Sequence, residues 1–246
     1  MLERLSIELS QRCSKGCAFC YAHGAVDGET HFSAPEVLML VRDAAAHGVR
    51  AVSFGGGEPL EAPALWPVLE GLENTLFRSL TTNGLPLKDD DVFERLVAAR
   101  PNKVQVSIHF PDNSAEVSRV IEQVSELERR GIASGINLLV RQSGLEEARS
   151  AVRRIHGAGI DNRRIVFLPM RGEDTPSSEQ VATVAGAPFQ STSCLSGCGP
   201  KPRFCSLRWD RTVAWCSYTE SRRRLMSPSY VGIVEALAGL GVRSCG

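Results

Sequence analysis

Three cysteines lie close together near the start of the chain, in the segment Cys13-Ser-Lys-Gly-Cys17-Ala-Phe-Cys20. Structural zinc takes four ligands and closes its coordination shell, so three thiols form an incomplete set for that ion. A [4Fe–4S] cluster also takes four ligands, and a loop that offers three of them leaves one iron open. Because an open iron can bind and reduce a further molecule, the spacing indicates redox chemistry at this loop. A zinc knuckle that borrows His23 as its fourth ligand is the alternative.

A run of glycines, Gly55-Gly56-Gly57-Glu58-Pro59, follows the second strand that the sequence predicts. Glycine lets the bare backbone come close to a ligand, although a glycine turn after a strand is common and is weak evidence alone. Together with the C-x3-C-x2-C spacing upstream, this run closely resembles the paired motifs of the radical S-adenosylmethionine (SAM) superfamily. The resemblance identifies the chain as a radical SAM enzyme.

The resemblance also implies how each motif is used. Cys13, Cys17 and Cys20 would hold a [4Fe–4S] cluster whose open iron binds SAM, and the glycine backbone would hold the methionine amino group. The residues expected to contact SAM are Gly55, Gly56, Gly57, Glu58, Ser107 and Asn137. Asn83, which follows the third predicted strand, is a further candidate for a contact with SAM, and His109, which follows the fourth, for a contact with SAM or substrate. For Ser107, Asn137, Asn83 and His109, a turn residue or a satisfied polar group is the alternative.

A second group of cysteines has four members, which are Cys194, Cys198, Cys205 and Cys216. The segment between the last two predicts a β-hairpin that turns at Asp210-Arg211. This segment is similar to the auxiliary-cluster regions of the SPASM and twitch subfamilies, although their usual glycine and proline are absent. The resemblance implies a second [4Fe–4S] cluster on these four thiolates, and structural zinc on the same set is the alternative.

Cys245 lies next to the last residue and belongs to neither group. Three roles are open for it: a ligand of the second cluster, a hydrogen donor to a substrate radical, or a thiol without function. It is the one candidate for a catalytic side chain, and no other catalytic residue is assigned.

The hydrophobic pattern alternates between strands and helices and so predicts an α/β fold. The predicted strands are 5–9, 51–54, 77–81, 103–108, 134–140 and 164–168, and the predicted helices are 34–47, 62–74, 89–99, 114–130 and 145–157. Six strands joined by helices imply a parallel, partial (β/α)6 TIM-like barrel with its chemistry at the carboxyl ends of the strands. We expect this barrel over residues 1–178, and a small cysteine-rich auxiliary region with a terminal helix over 179–246.

Composition narrows the setting in which the chain works. Lys plus Arg and Asp plus Glu both number 28, so no strong field attracts nucleic acid or an anionic membrane. No apolar stretch reaches the roughly 18 residues of a membrane span, and the N-terminus lacks the pattern of a secretion signal. We therefore expect a cytoplasmic protein, in which eight cysteines serve as metal ligands rather than as a disulfide framework.

The resemblance implies a reaction in which SAM is reductively cleaved to a 5′-deoxyadenosyl radical that abstracts a hydrogen from a substrate. A flavodoxin or ferredoxin would supply the electron. The second cluster would support oxidation, crosslinking or epimerisation of a small molecule or peptide, and we expect no peptide-binding domain ahead of the first strand, which favours a small molecule. An RNA-modifying radical SAM enzyme and a non-catalytic iron–sulfur electron carrier are the alternatives.

Overall fold

The computed structural model describes residues 1–29, 32–186 and 203–242. These residues group into two compact units, one built from residues 1–102 together with 203–242 and the other from residues 103–186. Cys194, Cys198 and Cys245 lie outside the described residues, and so does much of the segment before the hairpin. Within the described ranges, no helix combines the length and apolar character needed to cross a membrane.

The first unit begins with three parallel strands and three helices. In chain order its elements are β1 (Arg4–Ser10), α1 (Ala34–Ala46), β2 (Ala51–Gly56), α2 (Leu65–Gly71), β3 (Phe77–Thr82) and α3 (Asp90–Ala99). β2 pairs in parallel with both β1 and β3. Parallel strands joined by helices confirm the predicted α/β class. The predicted helix at 62–74 is shorter in the structure, where a 3-10 turn at Pro59–Glu61 precedes α2 and α2 spans Leu65–Gly71.

α1 begins where the sequence predicts it. The Ser33 hydroxyl accepts a hydrogen bond from the backbone N–H of Glu36, and the Glu36 carboxylate accepts one from the backbone N–H of Ser33. This reciprocal capping box satisfies two backbone donors that the first turn of a helix leaves without partners. It fixes the end of the segment that follows the cysteine loop.

The predicted hairpin is present and extends the sheet of the first unit. β7 (Phe204–Leu207) pairs in parallel with β1, β8 (Thr212–Ala214) pairs antiparallel with β7, and β9 (Arg223–Arg224) pairs antiparallel with β8. The parallel pairing of β7 with β1 and the short β9 are not predicted from the sequence. The terminal helix, α7 (Tyr230–Leu237), packs on α1, where the backbone N–H of Tyr230 donates to the Asp43 carboxylate at 2.7 Å.

The strand register separates two faces of this sheet. Leu5 is in register with both Val52 and Cys205, and Val52 is in register with Arg78. Residues in register share a face, and the Arg78 guanidinium donates to the carbonyl of Leu69 in α2, so this face is the one that the helices cover. The next row lies on the opposite, inner face and consists of Ser6, Ser53, Ser79 and Ser206.

The second unit repeats the alternation of strand and helix. Its elements are β4 (Lys103–Ile108), α4 (Ser114–Arg129), β5 (Ser134–Val140), α5 (Leu145–Gly157), β6 (Ile165–Pro169) and α6 (Ser178–Ala185). β5 pairs in parallel with β4 and with β6, and all seven of its residues are buried. α6 is not predicted from the sequence, although Ser177 and Gln180 form a capping box at its start.

Candidate functional site

The glycine run and the segment leading to the first cysteine are hydrogen-bonded to each other. The backbone N–H of Gly57 donates to the carbonyl of Ser10, and that of Glu58 donates to the carbonyl of Arg12, both at 2.8 Å. A Cβ on Gly56 would lie 2.7 Å from the Ser10 oxygen, and one on Gly57 would overlap the Arg12 oxygen. Gly56 also has a φ of +110°, which disfavours any side chain. The two motifs that sequence reasoning paired are therefore one structural unit.

The cysteine loop folds back on itself around Gly24. The backbone N–H of Cys13 donates to the carbonyl of Ala25, and that of Cys20 donates to the carbonyl of Cys17. A Cβ on Gly24 would meet the Cβ of Cys13 at 3.1 Å and the Sγ of Cys20 at 3.6 Å. Cys13 is buried, which raises the pKa of its thiol, while Cys17 and Cys20 are partly exposed. The loop thus brings Cys13 and Cys20 against the same glycine.

In the part of the chain that the structure describes, no three side chains of His, Cys, Asp or Glu converge on a point where a single metal ion would bind.

Glu61 holds the cysteine loop and is a residue that sequence reasoning missed. Its carboxylate accepts hydrogen bonds from both the backbone N–H and the hydroxyl of Ser14, the residue after Cys13. The signal available in the sequence was an acidic residue three positions after Glu58, in a turn that must face the loop. Glu61 therefore fixes the direction in which the chain leaves Cys13.

Glu58 is the centre of a buried hydrogen-bond network. Its Oε1 accepts from the hydroxyl of Thr82 at 2.7 Å and from the backbone N–H of Leu60 at 3.1 Å. Its Oε2 accepts from the backbone N–H of Asn83 at 2.8 Å. The side chain is 1% exposed, and burial raises the pKa of the carboxyl to about 7 even though these hydrogen bonds oppose the shift. Glu58 thus joins the glycine turn to the end of β3.

The Asn83 side chain contacts the cysteine loop. Its side-chain Nδ2 donates to the Sγ of Cys13 at 3.7 Å, and its Oδ1 accepts from the backbone N–H of Leu85 at 2.8 Å. Asn83 is 5% exposed. The third strand thus ends in a donor aimed at a candidate cluster ligand.

Gly55 faces room that a ligand could occupy. A Cβ on Gly55 would meet no heavy atom within 4 Å, in contrast to Gly56 and Gly57. Glu8 is in register with Gly55 on β1 and is 2% exposed, yet neither of its carboxylate oxygens has a hydrogen-bond partner among the described residues. Burial raises the pKa of Glu8 to about 7, and the Arg208 guanidinium, with its Nε 3.9 Å away, opposes that shift. An open backbone next to a buried polar side chain fits the binding of a polar cofactor.

The second unit places two other candidates side by side. Ser107 in β4 and Asn137 in β5 are in register and are 4% and 8% exposed. His109 follows β4, and its backbone N–H donates to the carboxylate of Glu116 at 2.6 Å. The structure thus brings Ser107 and Asn137 together as neighbours.

The two described cysteines of the hairpin differ from each other. Cys205 is 0% exposed on the helix-covered face of β7, and burial raises the pKa of its thiol to about 12. Cys216 follows β8, is partly exposed, and accepts at its Sγ from the backbone N–H of Tyr218 at 3.4 Å. The Tyr218 ring contacts that of Tyr21, with centroids 4.6 Å apart, so the segment after Cys216 touches the residue after Cys20.

Comparisons with known proteins agree on one family. The model of the radical SAM superfamily matches residues 7–181. A curated protein of Saccharolobus islandicus named probable GTP 3′,8-cyclase is 28% identical over 180 residues, which are 68% of this chain and 57% of that protein. One of the same name in Methanocaldococcus jannaschii is 24% identical over 186 residues, 70% of this chain and 61% of its own length. The chain spans less than two thirds of the curated relatives that it matches.

Solved structures show the same fold. Streptococcus suis SuiB bound to precursor peptide SuiA superimposes with a TM-score of 0.68 at 16% identity, covering 88% of this chain and 60% of SuiB. The anSMEcpe protein with bound AdoMet also gives a TM-score of 0.68 at 14% identity, covering 95% of this chain and 80% of that one. These matches confirm the α/β partial-barrel fold class and, at such low identity, carry nothing about substrate.

Proposed function

Because the chain belongs to the radical SAM superfamily, we propose that Cys13, Cys17 and Cys20 hold its [4Fe–4S] cluster and that Gly55, Gly56 and Gly57 form its SAM site. The observation that carries the proposal is the hydrogen-bonded unit of glycine turn and cysteine loop. Two backbone hydrogen bonds at 2.8 Å hold the turn against the residues that lead into Cys13. A ligand lying along Gly55 would therefore be next to the cysteine loop.

The cluster and SAM, when bound, supply a 5′-deoxyadenosyl radical that removes a hydrogen from a substrate. The protein groups position and shield that chemistry. Glu58 fixes the glycine turn through its three hydrogen bonds, and Glu61 fixes the loop through Ser14. Ser107 and Asn137 remain predicted SAM contacts. Radical SAM enzymes need an electron donor, and we propose flavodoxin or ferredoxin for this one.

The test is anaerobic reconstitution of the full chain, followed by measurement of 5′-deoxyadenosine and methionine formed from SAM under reducing conditions. We expect both products from the parent protein and neither from a variant in which Cys13, Cys17 and Cys20 are all changed to Ala. An intact cluster without SAM cleavage in the parent would contradict the proposal. Thermal unfolding of the two metal-free proteins controls for misfolding of the variant.

The second cluster is a separate proposal. The spacing of Cys194, Cys198, Cys205 and Cys216 and the observed hairpin support it. The position of Cys205 on the helix-covered face of β7 disfavours Cys205 as a ligand of this cluster. Counting irons distinguishes the cases, since two cubane clusters give about eight irons and one gives about four. About four irons together with one zinc would make the hairpin a structural zinc site.

The substrate is proposed at the level of class. We propose that the substrate is a small molecule or peptide that is oxidised, crosslinked or epimerised, because a second cluster could accept an electron from a substrate radical. A second candidate is cyclisation of GTP, which the names of the curated relatives favour. Incubation with GTP separates the two: formation of 5′-deoxyadenosine that depends on GTP, and not on ATP, would establish the nucleotide reaction.

A further inference from the structure

We propose that Asn83 raises the reduction potential of the cluster on Cys13, Cys17 and Cys20 by donating a hydrogen bond to the Cys13 sulfur. This inference rests on the proposed function and deepens it, because it concerns how readily the same site accepts an electron. The sequence makes Asn83 a candidate SAM contact. In the structure its Nδ2 lies 3.7 Å from the Cys13 Sγ atom. Asn83 is a positioning residue, since it acts through a cluster ligand.

The orientation of the Asn83 amide follows from its chemistry. The oxygen of an asparagine side chain can only accept hydrogen bonds, and the nitrogen can only donate them. The backbone N–H of Leu85 can only donate, and it lies 2.8 Å from the Oδ1 of Asn83. This contact assigns the oxygen end, so the NH2 group is the end that faces Cys13.

Further contacts hold that donor in place. The backbone N–H of Asn83 donates to Glu58, whose carboxylate also binds the hydroxyl of Thr82. The backbone N–H of Gly84 donates in turn to the Thr82 hydroxyl at 3.0 Å. Asn83 is 5% exposed and Cys13 is 9% exposed, so water has little access to the bond between them. A hydrogen bond in such a low-dielectric place is electrostatically stronger than one in water.

The direction of the effect follows from charge. Reduction adds negative charge to the cluster and its thiolates, and an N–H dipole directed at a thiolate stabilises the reduced state more than the oxidised one. Hydrogen bonds to the sulfurs are among the factors that set the potentials of iron–sulfur clusters. We expect loss of this bond to lower the equilibrium constant for one-electron reduction by about tenfold, which corresponds to about 59 mV.

The decisive variant is Asn83→Ser, because serine is neutral, its oxygen can still accept from Leu85, and its short side chain cannot reach Cys13. Asn102→Ser is the matched control, because it is the same substitution at an asparagine whose Oδ1 also accepts from a backbone N–H, that of Arg78 at the start of β3, at the opposite end of the strand from Asn83. Each reconstituted full chain is titrated electrochemically without SAM and followed by electron paramagnetic resonance. We expect the lower potential in Asn83→Ser alone. The parent potential in Asn83→Ser, with its irons retained, would overturn the inference.

A second measurement keeps the inference testable if the variant fails to assemble a cluster. Parent protein is labelled with 15N at the side-chain nitrogen of asparagine, and the reduced cluster is examined by pulsed electron paramagnetic resonance. A 15N coupling supports the hydrogen bond, and its absence refutes it. Failure of the proposed function has a different signature, which is a parent chain that binds no cluster or does not cleave SAM.

Discussion

The two cysteine-bearing regions of the first unit hold their thiols in different ways. Cys13, Cys17 and Cys20 lie in a loop that is fastened from outside, by the glycine turn, by Glu61 and by the donor on Asn83. Cys205 instead lies inside a strand, on the face that the helices cover, with the pKa of its thiol raised to about 12. Cys216 lies past the end of β8 and is partly exposed.

The two regions differ in how accessible their thiols are and in how far they belong to the sheet. The N-terminal loop leaves two of its three thiols accessible and stands beside the open inner face at Gly55. The hairpin is first of all a part of the sheet, because β7 continues the pairing of β1. Cysteine spacing describes both regions equally well, and the surrounding contacts are what separate an open site from a thiol packed into a core.

The largest expected effect is the difference between two separate alanine substitutions in the glycine run, Gly57→Ala and Gly55→Ala. Gly57→Ala should destabilise the fold by about 3 kcal/mol or more. The new Cβ overlaps the Arg12 carbonyl, and the overlap is relieved only if the backbone moves. Gly55→Ala should leave stability within about 0.5 kcal/mol, since its Cβ meets nothing, and should weaken SAM binding at least tenfold, about 1.4 kcal/mol. Thermal unfolding and a SAM titration measure the pair. Equal SAM affinity in Gly55→Ala and the parent would remove the proposed site from this face.

The next effect distinguishes the two cysteines of the hairpin by iron content. We expect Cys216→Ala to lose the second cluster, about four irons. We expect Cys205→Ala to keep those irons and to lose only about 1 kcal/mol of stability, because a small buried side chain is shortened. Iron and sulfide counting on matched reconstitutions checks both. Iron lost from Cys205→Ala would restore Cys205 as a ligand.

A third effect is confined to the pH dependence of stability and concerns Glu8, which lies between β2 and the segment that follows β7. The folded protein binds the Glu8 proton more tightly than the unfolded chain, so the stabilisation is complete below pH 4.5 and is lost as pH rises through about 7. At about 1.4 kcal/mol per pKa unit, the shift of the Glu8 pKa from 4.5 to about 7 corresponds to a loss of at most about 3.5 kcal/mol. Glu8→Gln should flatten this part of the unfolding profile.

The control for Glu8 is Glu70→Gln, an exposed carboxylate on α2, which should keep the parent profile. Glu58 has a pKa shifted in the same direction, so Glu8→Gln should remove about half of the slope rather than all of it. Thermal unfolding of the metal-free protein between pH 5 and 7.5 is the measurement. A parent-like slope in Glu8→Gln would show that the Glu8 carboxyl is solvated.

The sequence predicts those parts of the molecule that depend on local pattern. Ser33 marks the start of α1, β5 lies at the predicted residues, and the hairpin turns between β7 and β8 as expected. The glycine run and the cysteine loop also lie together. Each of these features follows from capping, alternation or a motif that a few neighbouring residues carry.

Long-range contacts were not predictable in the same way. The pairing of β7 with β1 joins segments that lie about 200 residues apart, and no local pattern specifies it. The contacts of Glu61 with Ser14 and of Asn83 with Cys13 depend on how separate turns approach each other. The face of Cys205 depends on strand register, where a shift of one residue would turn the thiol to the other side.

The most direct test of the account is whether SAM binds at the N-terminal cluster and not at the hairpin. Reduced, reconstituted parent protein is examined by electron paramagnetic resonance with and without SAM, next to the variant with Cys13, Cys17 and Cys20 changed to Ala. We expect SAM to alter the spectrum of the parent and to leave the spectrum of the variant unchanged. A spectrum that SAM does not alter in the parent, or one that it alters in the variant, would contradict the assignment of the open site to the cysteine loop.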